Sequence, residues 1–144
     1  MTEVFFYHLE SSSPTGVLPS LLEKTLKRGW KALVKLPDRE ALDAMDEALW
    51  TYRDESFLPH GTSGAAEPVL LTLGDEAENG AEALFLAPGS EMSAAEMKRF
   101  ERCVLLFGHD EAPRARDAWK SYKDEGFAVT YWKQGPDGRW EKAA

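Results

Sequence analysis

Apolar residues along the chain follow two patterns. Short continuous apolar runs, such as residues 69–71 and 103–107, are typical of strands covered on both faces. Longer segments repeat apolar residues every three or four positions, as amphipathic helices do. Strands are predicted at residues 4–9, 30–36, 69–73, 83–87, 102–107 and 127–133. Helices are predicted at residues 17–29, 38–49, 93–100 and 111–125.

The alternation of strands and helices predicts a single Rossmann-like α/β domain over residues 1–144. Its sheet should be mixed but mostly parallel, with helices on both faces. Asp38 and Ser93 are predicted helix N-caps, because short polar side chains accept hydrogen bonds from the first turn. Gly29 and Gly126 are predicted to end the helices that precede them.

Three segments are predicted to be less regular. Residues 51–68 have no sustained period and contain two prolines and two glycines, which indicates a long surface connection. The acidic turn at residues 74–80 joins two short strands, an arrangement compatible with a hairpin. Residues 139–144 are expected to form a loose C-terminal tail.

Composition narrows the class of protein. The 144 residues are 43% hydrophobic and 29% charged, which excludes disordered and collagen-like chains. The net charge of -8 opposes general binding to DNA or to anionic membranes. Cys103 is the single cysteine, so an intrachain disulfide is excluded and a reducing compartment is expected. With no basic N-terminal leader and no long apolar stretch, the expected location is the cytoplasm, with no membrane partner.

The sequence shows no pattern typical of catalysis or cofactor binding. The loop at residues 10–16 has one glycine and no lysine, so a phosphate-binding loop is not predicted there. His8, His60 and His109 are dispersed and lack metal-ligand spacing, and no nucleophile elbow is present. We therefore expect no catalytic residue, no cofactor and no metal.

The last predicted helix differs in charge from the rest of the chain. Residues 1–113 carry 10 basic and 20 acidic side chains, a net charge of -10, whereas residues 114–144 carry 7 basic and 5 acidic, a net charge of +2. Helical spacing predicts that one arc packs on the sheet, formed by Ala115, Ala118 and Tyr122. A neighbouring arc, here called the basic flank, consists of Arg116, Trp119, Lys120 and Lys123.

An exposed tryptophan among cations suits a ligand that is both anionic and aromatic. A peptide that ends in a carboxylate and a large apolar side chain fits this description, and so does single-stranded nucleic acid. The structural alternative is that Trp119 belongs to the core and that the cations serve solubility. Composition does not choose among the three.

A second group of aromatic residues lies where the second helix ends. Trp50, Tyr52 and Phe57 crowd into this helix end and the irregular segment after it. Such residues either plug the edge of a sheet or anchor a partner protein. The pattern leaves both interpretations open.

Several of these segments resemble one known family, the chi subunit of bacterial DNA polymerase III, an accessory of the clamp-loader complex. The resemblance covers nearly the whole chain. It rests on Phe5-Phe6-Tyr7-His8-Leu9, Lys31-Ala32-Leu33-Val34, residues 42–50, Glu55-Ser56-Phe57-Leu58-Pro59-His60, residues 115–123 and Gly126-Phe127. The Asp-Glu-Ala-Leu-Trp block followed by the Glu-Ser-Phe-Leu-Pro-His block is the most specific feature.

The resemblance implies a non-catalytic adaptor in DNA replication, with a Rossmann-like fold and no nucleotide chemistry. It implies binding of the acidic C-terminal tail of single-stranded DNA-binding protein at Arg116, Trp119 and Lys120, with Lys123 beside them. The family often has tyrosine at the position of Trp119. A surface around Trp50 and Phe57 would bind the psi subunit of the clamp loader where the organism has one, and a helicase is a further candidate there.

Two alternatives remain beside the adaptor. One is a small nucleotide-using or nucleic-acid-processing enzyme on the same fold, which the missing phosphate loop disfavours. The other is direct binding of single-stranded DNA, which would depend steeply on salt. For the adaptor, contact with DNA would be only indirect.

Overall fold

The computed structural model describes residues 2–9, 13–50, 61, 68–74, 79–134 and 140–142. Within these residues the strands are β1 (Glu3–His8), β2 (Ala32–Lys35), β3 (Val69–Thr72), β4 (Ala83–Leu86), β5 (Arg102–Phe107), β6 (Ala128–Gln134) and β7 (Trp140–Lys142). The helices are α1 (Pro14–Lys27), α2 (Arg39–Trp50), α3 (Ala94–Met97) and α4 (Ala112–Asp124), the last preceded by a 3₁₀ turn at His109–Glu111.

The strands form one sheet in the order β3-β2-β4-β5-β1-β6-β7. Among the described strands, those from β3 to β6 pair in parallel with their neighbours, and β7 is antiparallel to β6. Helices α1 and α2 pack on one face of the sheet, and α3 and α4 pack on the other. The prediction of a mostly parallel mixed sheet with helices on both faces is confirmed.

Burial of the central strands explains their composition. The side chains of Leu33, Leu84, Cys103 and Val4 follow one another across adjacent strands and all are fully buried under α3 and α4. On the opposite face, Val34 and its neighbours pack against α1 and α2. Strands covered on both faces carry continuous apolar runs, as a parallel sheet requires.

The predicted helix boundaries have specific causes in the structure. The backbone N–H of Ala41 donates to Oδ1 of Asp38 at 2.8 Å, and that of Glu96 donates to Oγ of Ser93 at 3.3 Å, so both predicted N-caps are confirmed. Gly29 and Gly126 both adopt a φ of 91°, a conformation that L residues rarely adopt. They end α1 and α4 as the sequence predicts.

Two predicted features are wrong. The strands at residues 69–73 and 83–87 do not form a hairpin, because β2 lies between β3 and β4 and pairs in parallel with both. Their short separation in sequence favoured a hairpin, but β4 is fully buried in the interior of the sheet, and β3 pairs with β2 at the edge of the sheet. The predicted loose tail at residues 139–144 is also wrong for Trp140–Lys142, which pair with β6. Trp140 packs on the core, and this contact holds the strand.

Most of the predicted surface connection at residues 51–68 lies outside the described residues. Gly61 is one of its described positions. Its N–H donates to the carbonyl of Val69 at 3.0 Å, and its carbonyl accepts from the N–H of Leu71 at 2.8 Å. This backbone pairing covers part of the β3 edge.

Candidate functional site

Helix α4 carries the predicted site and crosses over β1, because it connects β5 to β6 and β1 lies between these strands. Its interior has no glycine, and its proline occupies the first turn, where a missing N–H costs nothing. Ala115, Ala118 and Tyr122 pack against the buried residues beneath α3 and α4. The predicted packing arc is therefore confirmed.

The side chain of Trp119 is packed partly against the core and is partly exposed at the surface. Its ring is half-buried and meets Phe6 of β1 edge-on, with 5.7 Å between ring centroids. It also meets Tyr131 of β6 edge-on at 6.0 Å. Nζ of Lys123 lies 5.2 Å from its centroid, within the range of a cation–π contact. These contacts hold the indole in a defined position while part of it stays accessible.

The three cations of the basic flank, Arg116, Lys120 and Lys123, are exposed. Within the described part of the chain, no carboxylate lies within ion-pair distance of Arg116 or Lys120. Arg114, two residues before Arg116 and on the other flank of the helix, pairs with Glu91 instead. Arg116 and Lys120 are thus available to an anion without breaking an internal pair.

Strand β6 contributes residues that the sequence analysis did not assign to the site. Tyr131 contacts Trp119, and its hydroxyl lies 2.9 Å from Nδ1 of His8. Lys133 follows two positions later, so strand alternation directs it to the same face of the sheet. Two features of the sequence could have indicated these residues. Tyr131 and Lys133 are two positions apart in a predicted strand, and the crossover through α4 returns the chain to a position beside β1.

The second predicted surface falls largely outside the described residues. Helix α2 ends at Trp50, and Phe57 lies in the stretch of residues 51–60 that the structure does not describe. The structure therefore does not test whether Trp50 and Phe57 share a surface, and that stays a prediction.

A cavity of about 430 Å³ lies on the opposite flank of α4, between this helix and the loop at residues 88–93. Ala115, Ala118 and Tyr122 form its helical wall. None of the four residues of the basic flank lines it. The two flanks of α4 are therefore different environments.

The described residues contain no cluster of histidine, cysteine and carboxylate side chains able to hold a metal ion. Among the same residues, no helix is long and apolar enough to cross a membrane. Cys103 is fully buried under α3, where burial raises the pKa of its thiol to about 12. A thiol in this environment is a packing group rather than a nucleophile.

Fold and surface together define an α/β protein of the doubly wound class, whose first strand-to-helix loop lacks phosphate-binding residues and whose last helix carries an aromatic and basic flank. The family profile described as "DNA polymerase III chi subunit, HolC" matches residues 1–130. The chain belongs to this family, whose members are the chi subunit of DNA polymerase III, a polymerase of DNA replication.

Two curated relatives agree with this assignment. The chain is 30% identical over 140 residues to "DNA polymerase III subunit chi" of Pseudomonas aeruginosa, covering 90% of this chain and 94% of that protein. It is 24% identical over 111 residues to "Probable DNA polymerase III subunit chi" of Rickettsia prowazekii, covering 74% of this chain and 66% of that protein.

Proposed function

We propose that this chain is a non-catalytic adaptor that binds the acidic C-terminal tail of single-stranded DNA-binding protein and connects it to the clamp loader. The basic flank of α4 is the proposed tail site. The observation that carries the proposal is a fixed, half-buried Trp119 beside two exposed cations, Arg116 and Lys120, that have no carboxylate partner among the described residues.

Each part of such a tail has a counterpart on this flank. Exposed cations attract the acidic residues over distances of about a Debye length, roughly 8–10 Å. The Arg116 guanidinium suits a terminal carboxylate, since its planar fork can bind both oxygens. The accessible part of Trp119 supplies apolar contact for a terminal aromatic side chain.

The clamp-loader side of the adaptor is proposed at the surface around Trp50 and Phe57. The psi subunit is the proposed partner in organisms that have one, and a helicase is a second candidate. Replication of a bacterial chromosome takes place in the cytoplasm, where we expect the subunit to act. The net charge of -10 over residues 1–113 favours an indirect connection to DNA, because it repels a polyanion.

The tail site is tested by titrating the chain with a peptide of the acidic tail in a calorimeter. Arg116→Ala and Lys120→Ala should each weaken binding by about 1–3 kcal/mol, the range for losing a hydrogen bond to a charged group. Thermal stability should hardly change, because both side chains are exposed. Arg114→Ala is the matched control, since it removes the same charge from the other flank of the same helix.

The titration is repeated at higher salt concentration and with the oligonucleotide oligo-dT in place of the peptide. Raising the salt concentration should weaken the wild type more than either variant, which has already lost part of the screened attraction. Oligo-dT should bind far more weakly than the peptide. Tighter binding of oligo-dT, with a steep salt dependence, would favour direct binding of single-stranded DNA instead. Equal losses in Arg114→Ala and Arg116→Ala would remove the basic flank from the proposal.

A further inference from the structure

The cavity beside α4 has an apolar interior. Leu86 and Leu105 form part of its floor, and Met92, Ala115 and Ala118 form part of its walls. It lies at the carboxyl ends of β4 and β5, the edge of an α/β sheet where ligands commonly bind. Its volume of about 430 Å³ is within the range of ligand sites and exceeds the space that one large side chain fills.

The charged residues that line the cavity are predominantly acidic. They are Glu91, Glu111, Asp117 and Arg114, three carboxylates against one guanidinium. Arg114 is already paired with Glu91, which leaves the remaining lining charge negative. The opposite flank of the same helix presents Arg116, Lys120 and Lys123. Helix α4 therefore separates two surfaces of opposite charge.

The ion pair between Arg114 and Glu91 can be replaced by another ion pair at little cost in free energy. The side chains of Arg114 and Glu91 are 64% and 69% exposed, and pairs this exposed contribute little to stability. A ligand cation can therefore take the place of Arg114 beside Glu91 at small cost.

The loop that forms one wall of the cavity does not depend on that pair. Nζ of Lys35 donates to the backbone carbonyl of Glu91 at 2.5 Å. Oγ of Ser90 donates to the carbonyl of Lys35 at 2.9 Å, and the N–H of Ser90 donates to the carbonyl of Ala87 at 2.9 Å. The loop is thus tied to β2 and β4, and the Glu91 carboxylate can move while the wall remains.

We propose that this cavity is a second protein-binding site, which takes a large apolar side chain flanked by lysine or arginine in a partner's peptide segment. The apolar side chain enters the cavity, and the partner's cations meet Glu91, Glu111 and Asp117. An acidic tail is disfavoured here by the same carboxylates. The net charge of -8 also favours the approach of a basic segment.

Two capped hexapeptides test the proposal by nuclear magnetic resonance titration of the labelled chain. One is Lys-Lys-Leu-Phe-Lys-Lys, and the other has glutamate in place of each lysine. The basic peptide should shift the amide signals of Met92, Leu105 and Ala118 saturably. It should also bind at least about tenfold more tightly than the acidic peptide, because several lining charges favour it.

Variants on the exposed side of α4 separate the cavity from general charge effects. Asp117→Lys should weaken the basic peptide by about fivefold or more, whereas Asp124→Lys, the same change outside the cavity lining, should alter it by less than about twofold. Ser121→Trp places a large ring at the lining and should also weaken binding.

Three results would overturn the proposal: equal affinity for the two peptides, equal effects of Asp117→Lys and Asp124→Lys, or signal shifts confined to the basic flank. The outcome does not depend on the tail site, which is tested with an acidic peptide and with Arg116→Ala.

Discussion

Trp119 combines packing contacts with a proposed role in binding the tail. Its contacts with Phe6 and Tyr131 belong to the core, while its position between exposed cations belongs to the basic flank. The two interpretations that the sequence left open for this residue, core or ligand contact, are therefore compatible. A substitution here should change stability and binding together.

Trp119→Ala should lower the free energy of unfolding by about 2 kcal/mol, less than for a fully buried aromatic residue, because part of the ring is accessible. Trp119→Phe keeps a ring beside Phe6 and Tyr131 and should lose less. Urea denaturation measures both. Unchanged stability in Trp119→Ala would contradict the packing seen between α4, β1 and β6.

The same residue supports a second prediction, on binding. Removing the terminal aromatic residue of the tail peptide should cost the Trp119→Ala variant less affinity than it costs the wild type, as expected for two groups in contact. Calorimetric titration of both peptides into both chains gives the comparison. If the two costs are equal, the aromatic side chain binds elsewhere.

Cys103 should be unreactive in the folded chain. Its Sγ lies 3.6 Å from the carbonyl of Met97, and burial raises the pKa of the thiol to about 12. Little thiolate therefore exists near neutral pH, and a reagent cannot reach it. A coloured disulfide reagent should react slowly with the native chain and rapidly after denaturation, with glutathione as the reference thiol. Native reaction at the glutathione rate would contradict this burial.

At the scale of elements, the sequence predicted the ends of helices more reliably than it predicted which strands pair in the sheet. Caps such as Asp38 and Ser93, and the glycines that end α1 and α4, depend on a few neighbouring residues, so the sequence contains the necessary information. The positions of β3 and β7 depend on distant partners. The burial of β3 and β4 on either side of β2, and the packing of Trp140, are tertiary effects that no short window of sequence contains.

The candidate site also combines features that local sequence predicts with features that depend on the tertiary fold. Helical spacing was sufficient to predict which residues of α4 share a flank. The neighbours that complete the two flanks, Tyr131 on one side and the loop with Glu91 on the other, come from parts of the chain that only the fold brings to α4.

Strand β7 should contribute to stability through Trp140. The Trp140 ring meets Tyr7 edge-on at 4.9 Å, next to the stacked pair of Tyr7 and Trp132. Trp140→Ala should lower the free energy of unfolding by about 2 kcal/mol, whereas the exposed Lys142→Ala should change it by less than about 0.5 kcal/mol. Thermal unfolding measures both.

The same variant should affect the ionisation of Tyr7. Burial raises the pKa of the Tyr7 phenol, with Arg102 acting in the opposite direction. Uncovering the ring in Trp140→Ala should therefore move this pKa back towards its ordinary value in a spectrophotometric titration. Equal melting temperatures for the Trp140 and Lys142 variants, with an unchanged titration, would mean that β7 does not cover Tyr7.

At the scale of the whole molecule, alkaline pH should destabilise the fold. Burial raises the pKa of Cys103 from 9.0 to about 12 and raises those of Tyr7 and Tyr122. Well below pH 9.0 these groups are protonated in both the folded and the unfolded state. As the pH rises towards 12, the unfolded chain loses these protons first, so the folded state loses relative stability.

Urea denaturation at a series of pH values checks this dependence. The Cys103→Ala variant should show a shallower decline above pH 9.0, because one of the three groups is gone. A decline of equal slope in both chains would mean that the thiol is accessible in the folded state.

The interior position of β1 has a consequence for protein synthesis. Strand β1 is synthesised before its two partners, β5 and β6, so Val4 cannot pair until the segments with Cys103 and Val129 have been made. This part of the sheet is therefore unavailable to a nascent chain until β6 has been translated. Chains terminated before Arg102 lack both α4 and the two partners of β1. Such unfinished copies are then substrates for chaperones and proteases.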